Sequence, residues 1–126
     1  MTDQRDLIFQ TNSHGTRSLK KNKVSDEEIE KIISYCLQNQ VGKLKKLQIP
    51  NLLKYGLDTT LYIVKVDRVA RAIVSIDEDD LFNQIIITLY SFSRDHDLDK
   101  MVRKTTESFL QEIKPYLDNE VDRYAD

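Results

Sequence analysis

Lys65, Arg71, Arg94 and His96 stand within a third of this chain, interleaved with apolar runs. Cleavage of a phosphodiester by its own 2′-hydroxyl needs three things. A group must help deprotonate the hydroxyl, cations must hold the charge that grows on the phosphorane, and an acid must protonate the leaving 5′-oxygen. Lys65, Arg71 and Arg94 supply the cations. His96 supplies the proton transfer, since its ordinary pKa lies near neutrality. Singly, each cation is an ordinary solvated strand residue; meeting at one place, they make a site for one phosphate.

Other chemistries lack their residues. The chain has no Gly-rich phosphate loop, no metal-spaced Cys/His set and no Ser-His-Asp arrangement, so neither cofactor nor metal is expected. His14 lies 82 residues from His96. Asp77–Asp80 is a run of four acids, but contiguous carboxylates cannot all point inward, and no glycine spaces them into a calcium loop. They read as a solvated hairpin tip.

The cations can meet only if the elements carrying them bring them together. Three runs, 61–66, 70–76 and 84–92, are dense in Ile, Val, Tyr and Phe and read as strands of an antiparallel meander. In such a meander the start of the second strand lies beside the end of the third. Arg71 would then neighbour Arg94 and His96, and Lys65 would reach the same edge. Leu61, Ile63 and Lys65 alternate with Tyr62, Val64 and Val66, so one face is wholly apolar and the other ends in a lysine. Residues 84–92 are apolar on both parities, which suits a central strand.

Asp6–Thr11 reads as a short first strand, Asn12–Gly15 as a turn and Thr16–Asn22 as a short basic helix. Ser25 with Glu28 forms a capping box, and three acids stand at the positive end of the helix dipole. Ile29, Ile32, Ile33, Cys36 and Leu37 then trace one stripe of a helix from about Asp26 to Gln40, which Gly42 ends. Cys36 belongs to that stripe and reads as a small core hydrophobe. Lys43-Leu44-Lys45-Lys46-Leu47 is either an amphipathic connector or a phosphate-facing segment. Pro50 and Gly56 mark a loop. After His96 a second long helix carries Leu98, Met101, Val102, Thr105, Phe109 and Ile113 on one stripe, and Pro115 bends or ends it. The expected fold is α+β: an antiparallel meander sheet with an N-terminal strand, helices packed on one face and a long C-terminal helix. Residues 1–117 form one domain, and 118–126 an acidic tail.

Composition sets wider bounds. Of 126 residues, 40% are apolar and 32% charged, an ordinary globular balance without an apolar run long enough to span a membrane. The first residues carry acids and no apolar core, so they do not read as a secretory signal. One cysteine cannot form an internal disulfide, and a cytoplasmic location is expected. Charge is uneven: residues 1–75 hold 13 Lys and Arg against 8 Asp and Glu, whereas the rest hold 6 against 13. A basic first part can meet phosphate or an acidic partner.

The order strand, two helices, basic linker and three-stranded meander resembles the RelE/ParE superfamily of bacterial toxin–antitoxin toxins. Lys43-Leu44-Lys45-Lys46-Leu47 is similar to the family's "LKxL" segment. Leu61–Val66 followed by Arg71-Ala72-Ile73 is similar to its "YRIRVGDYRVIY" strand pair. Asp77-Glu78-Asp79 matches the acidic hairpin tip, and Ile85–Ser93 followed by Arg94-Asp95-His96-Asp97 the "VLVVGHRDEVY" strand end. The resemblance covers roughly residues 6–104. It implies a microbial-ribonuclease-like (RelE-like) fold and an endoribonuclease that cleaves mRNA, associated with the ribosome. Arg71 would be the sheet arginine and Lys65 a strand basic residue. Arg94 and His96 would stand where the family places further catalytic groups, with Lys43, Lys45, Lys46 and Arg68 touching RNA. The implied partners are a cognate antitoxin, mRNA and the ribosome, with no membrane, and with oligomers formed only through the antitoxin. The chain departs from the family in carrying Leu98 or Asp99 where a Tyr is usual, in its mildly acidic balance and in its longer acidic C-terminus. These departures support an alternative: a non-catalytic ParE-like gyrase poison, or an immunity or regulatory protein on the same scaffold.

Overall fold

A computed structural model describes residues 5–38, 42–47, 60–95, 97–108 and 111. The chain divides into two compact units, Met1–His96 and Asp97–Asp126. The first contains β1 (Asp6–Thr11), α1 (Ser13–Lys21), α2 (Asp26–Gln38), β2 (Leu44–Leu47), β3 (Leu61–Lys65), β4 (Arg71–Asp79) and β5 (Gln84–Ser93). The strands form one sheet in the order β1-β5-β4-β3-β2. β2 through β5 pair antiparallel, and β1 lies parallel to β5, with Asp6 opposite Gln84 and Thr11 opposite Leu89. The expected α+β meander is present, and the sheet is mixed because of β1. β5 has a strand on each side, which agrees with its apolar residues on both parities.

Two segments differ from expectation. Asn12–Gly15 is a helix start, not a turn: the Asn12 side chain caps α1 by accepting from the Gly15 N–H at 2.7 Å. The polar residues that signal turns are also those that cap helices, so composition alone could not separate the two. Residues 43–47 are not a loose connector, since Leu44–Leu47 adds a fourth antiparallel strand on the edge of β3. Its lysines suit an edge, where charge discourages pairing with further chains.

Helix α1 lies hard against β5. A Cβ on Gly15 would collide with the carbonyl oxygen of Leu89, so only glycine permits this approach. β1 stops opposite Leu89, and side chains of α1 then serve the exposed edge of β5. The Phe92 N–H donates to Ser18 Oγ at 2.9 Å, and Asn22 Nδ2 donates to the Phe92 carbonyl at 3.0 Å. These contacts satisfy backbone groups that no strand reaches.

The capping box forms as read: Ser25 N donates to Glu28 Oε1 at 3.1 Å, and Glu28 N to Ser25 Oγ at 3.2 Å. Ile32 and Cys36 of α2 are buried in a cluster with Val64, Val66, Ala70, Ala72, Val74, Ile87, Leu89 and Phe92, and Ile33 packs on its rim. Leu37, expected in the stripe, is 48% exposed. Burial pushes the Cys36 thiol up to about 12, so it is no nucleophile.

The sheet's opposite face is also closed at its middle: Leu61, Ile63 and Ile73 are buried there with Ser75, Thr88 and Ser91. A register shift lets Ile73 oppose Ser91 while Val74 opposes Leu89, leaving Tyr90 as the extra residue of a bulge. Its hydroxyl lies 3.3 Å from Ser75 Oγ. β4 runs on to Asp79, so Asp77 to Asp79 are strand residues and the turn is formed by residues 80–83.

In the second unit, residues 98–108 are helical, capped where Asp97 Oδ1 accepts from the Lys100 N–H at 3.0 Å. His96, the Pro50 and Gly56 loop, Phe109, Ile113, Pro115 and the tail 118–126 lie outside the described residues. Among the described residues, no helix is long and apolar enough to cross a membrane.

Candidate phosphate-binding site at one end of the sheet

Cross-strand partners in an antiparallel sheet share a face. Lys65 opposes Arg71, and Arg71 opposes Ser93, so three strands place Lys65, Arg71 and Ser93 in one row. The row closes the end of the face opposite the helices. Behind it Lys45, on the same face, opposes Ile63. Two cations from different strands thus stand side by side, as the meander predicts.

The Arg71 guanidinium is half held. Its Nη1 donates to the carbonyls of Asp67 (2.7 Å) and Ala70 (3.0 Å) at the β3–β4 turn. That turn is fixed in its own right. Asp67 Oδ1 accepts from Val69 N at 2.8 Å and Ala70 N at 2.7 Å, and these bonds lower the Asp67 pKa. Among the described residues Nε and Nη2 of Arg71 have no partner, and a fork of this kind can take an anion. Lys65 and Arg68 are exposed and form no ion pair among the described residues. Ser93 Oγ is engaged by the Asp95 N–H at 3.0 Å.

Arg94 is elsewhere. Successive strand residues point to opposite faces, so Ser93 on the Arg71 side puts Arg94 on the helix side. There its Nη1 and Nη2 meet Glu28 Oε2 and Oε1 at 2.6 and 2.8 Å. Its Nε and Nη2 each donate to the Asn22 carbonyl at 3.2 Å, and the guanidinium lies 5.0 Å from the Phe92 ring centroid. Hydrogen bonds from Arg94 hold the Glu28 carboxyl at about 2, well below the usual carboxylate range, with Ser25 adding to the effect. Arg94 therefore fastens the end of β5 to the start of α2. It does not join the Lys65–Arg71 row.

The remaining basic residues also divide. Lys45 shares the Arg71 face, whereas Lys46 opposes Tyr62 on the helix face. Lys43 lies 5.8 Å from the Tyr35 ring centroid, and Arg68 sits exposed at the β3–β4 turn. Among the described residues, no cluster of His, Cys, Asp and Glu could hold a metal ion. Ser93, next to Arg71, and Tyr90, raised by the bulge, carry hydroxyls that sequence reasoning passed over. Strand parity counted back from Arg71 would have flagged Ser93, but the bulge at Tyr90 has no signature in the sequence.

No protein-family model, curated protein or solved structure matches this chain.

Proposed function

We propose that this chain is an RNA-cleaving toxin of the RelE kind, with Lys65 and Arg71 holding the scissile phosphate. The observation that carries this is the Lys65–Arg71 pair, cations from two strands on one face, with guanidinium donors that meet no partner among the described residues. They would stabilise charge on the non-bridging oxygens of the phosphorane, and His96, two residues beyond Arg94, would transfer the proton. Lys45 and Arg68 would extend the basic track for flanking phosphates. The order strand, two helices and antiparallel run supports the RelE-like reading. A cognate antitoxin rich in Asp and Glu would neutralise the same end of the sheet, and a cytoplasmic setting with mRNA and the ribosome as targets follows from that role.

One observation favours a second reading. Arg94 is committed to Glu28, so fewer cations face the phosphate than a four-group site would supply. That favours a non-catalytic, ParE-like binder of gyrase or another protein. The test is induced expression of wild type, Arg71→Ala and His96→Ala, with primer extension on cellular messages. New 5′ ends with wild type that vanish with Arg71→Ala support cleavage. Growth arrest with intact messages moves the gyrase reading ahead.

A further inference from the structure

The turn at the far end of β4 carries the two most exposed large apolar side chains of the described residues, Leu81 at 85% and Phe82 at 65%. They do not dangle. Asp79 Oδ1 accepts from the Leu81 and Phe82 N–H groups at 3.1 and 3.3 Å, and Asn83 takes φ 52° to close the turn. Arg5 reaches Glu78 and Asp80, both at 3.3 Å, and braces the turn from β1. An exposed Leu-Phe pair thus stands on an anchored turn, directly after Asp77, Glu78, Asp79 and Asp80. Exposed aromatics on an anchored backbone suit protein interfaces, because less backbone freedom remains to be lost on binding.

The other end of β4 has the complementary surface. Lys65, Arg68 and Arg71 surround the β3–β4 turn, with Val69 half-exposed among them. The acids nearby are engaged, Asp67 by two backbone N–H groups and Glu28 by Arg94. Arginine guanidinium groups take both carboxylates and aromatic faces, and the stems of Lys and Arg cover apolar side chains. We propose that a second copy of this chain docks there: the Leu81–Phe82 turn of one copy sits on the Lys65–Arg68–Arg71 end of the next. Tip-to-tip pairing would oppose two sets of four acids, each offset only in part by one Arg5, and is disfavoured. The contact is head-to-tail, so it propagates into short open chains. It also covers the cations assigned above to RNA, yet it needs only the charge and shape of the two sheet ends, whatever the ligand of the basic end.

Sedimentation velocity of the full chain over a concentration series tests this, at about 50 mM and about 500 mM NaCl, salt levels whose screening lengths differ severalfold. Concentration-dependent association at low salt that fades at high salt is expected. Leu81→Ser/Phe82→Ser should weaken it by about thirty-fold or more, the effect of losing an interface anchor. Lys65→Glu/Arg68→Glu should do the same, with circular dichroism confirming that both variants fold. The decisive measurement mixes the two variants: each retains one intact end, so the mixture should form a 1:1 heterodimer that goes no further. A wild type that stays monomeric at millimolar concentration at low salt overturns the proposal. So does association that ignores salt, or a mixture that stays monomeric while wild type associates.

Discussion

Arg71, the first residue of β4, and Arg94, just past the end of β5, lie at the same end of the same sheet and do different work. Arg94 points to the helix side. There a capping-box glutamate, the Asn22 carbonyl and the Phe92 ring take up its guanidinium. Arg71 points to the other side, where two turn carbonyls engage one nitrogen and the rest of the fork meets no partner among the described residues. Equal charge at the same end of the sheet therefore gives one fastening and one candidate binding group. What separates them is a single step along a strand, because the side-chain period is two.

The largest effect expected is on the proposed RNA cleavage. Arg71→Ala should slow it by about 10²–10³, the usual loss when one charge-stabilising contact is removed, with the unfolding midpoint nearly unchanged. Single-turnover cleavage of a short RNA by purified protein measures it. Equal rates for variant and wild type would make Arg71 a turn-bracing residue like its neighbour Asp67.

Gly15→Ala acts on the helix side and should leave the Lys65–Arg71 row untouched. The new Cβ meets the Leu89 carbonyl, a backbone atom that cannot step aside, so overpacking should cost about 1–3 kcal/mol or more in chemical denaturation. A variant as stable as wild type would mean that α1 stands farther from β5 than described.

Arg94→Ala sharpens the contrast most directly. Losing the paired hydrogen bonds to Glu28 and those to the Asn22 carbonyl should cost about 1–2 kcal/mol of stability, since the pair is partly solvated. Cleavage by the folded variant should remain within a few-fold of wild type. A loss comparable to that of Arg71→Ala would return Arg94 to the catalytic set.

The smallest effect is a pH dependence. Glu28 has its folded-state pKa depressed from 4.5 to about 2, so its contribution is complete above pH 4.5 and is lost as pH falls toward 2. Denaturation midpoints of wild type should therefore fall more steeply over that window than those of Glu28→Gln. Parallel curves for the two proteins would show that the Glu28–Arg94 pair is not formed in solution.

Much of this arrangement is legible in the residues themselves. β1 matches the expected Asp6–Thr11 in both bounds, and the Ser25–Glu28 box marks the start of α2 because both of its hydrogen bonds are local. β3, β4 and β5 follow from runs dense in Ile, Val, Tyr and Phe, and their antiparallel order brings Lys65 and Arg71 together, as the meander requires. Local signals failed where one residue type serves two structures. Asn12 caps a helix where a turn was expected, and Leu44–Leu47 is too short for any period to show.

What the sequence by itself determined, then, is most of the elements and the end of the sheet at which the cations gather, because capping, alternation and hairpin connection act over a few residues. Only the tertiary structure decided which face each cation takes and what meets it there. β5 is apolar on both parities, and a bulge at Tyr90 shifts its register, so its residues alone do not say which side faces the helices. Glu28 and Arg94 are 66 residues apart, and the capping box gives no sign that its glutamate has a second partner. That pairing exists because Gly15 lets α1 close on β5, which carries the start of α2 to the end of the strand.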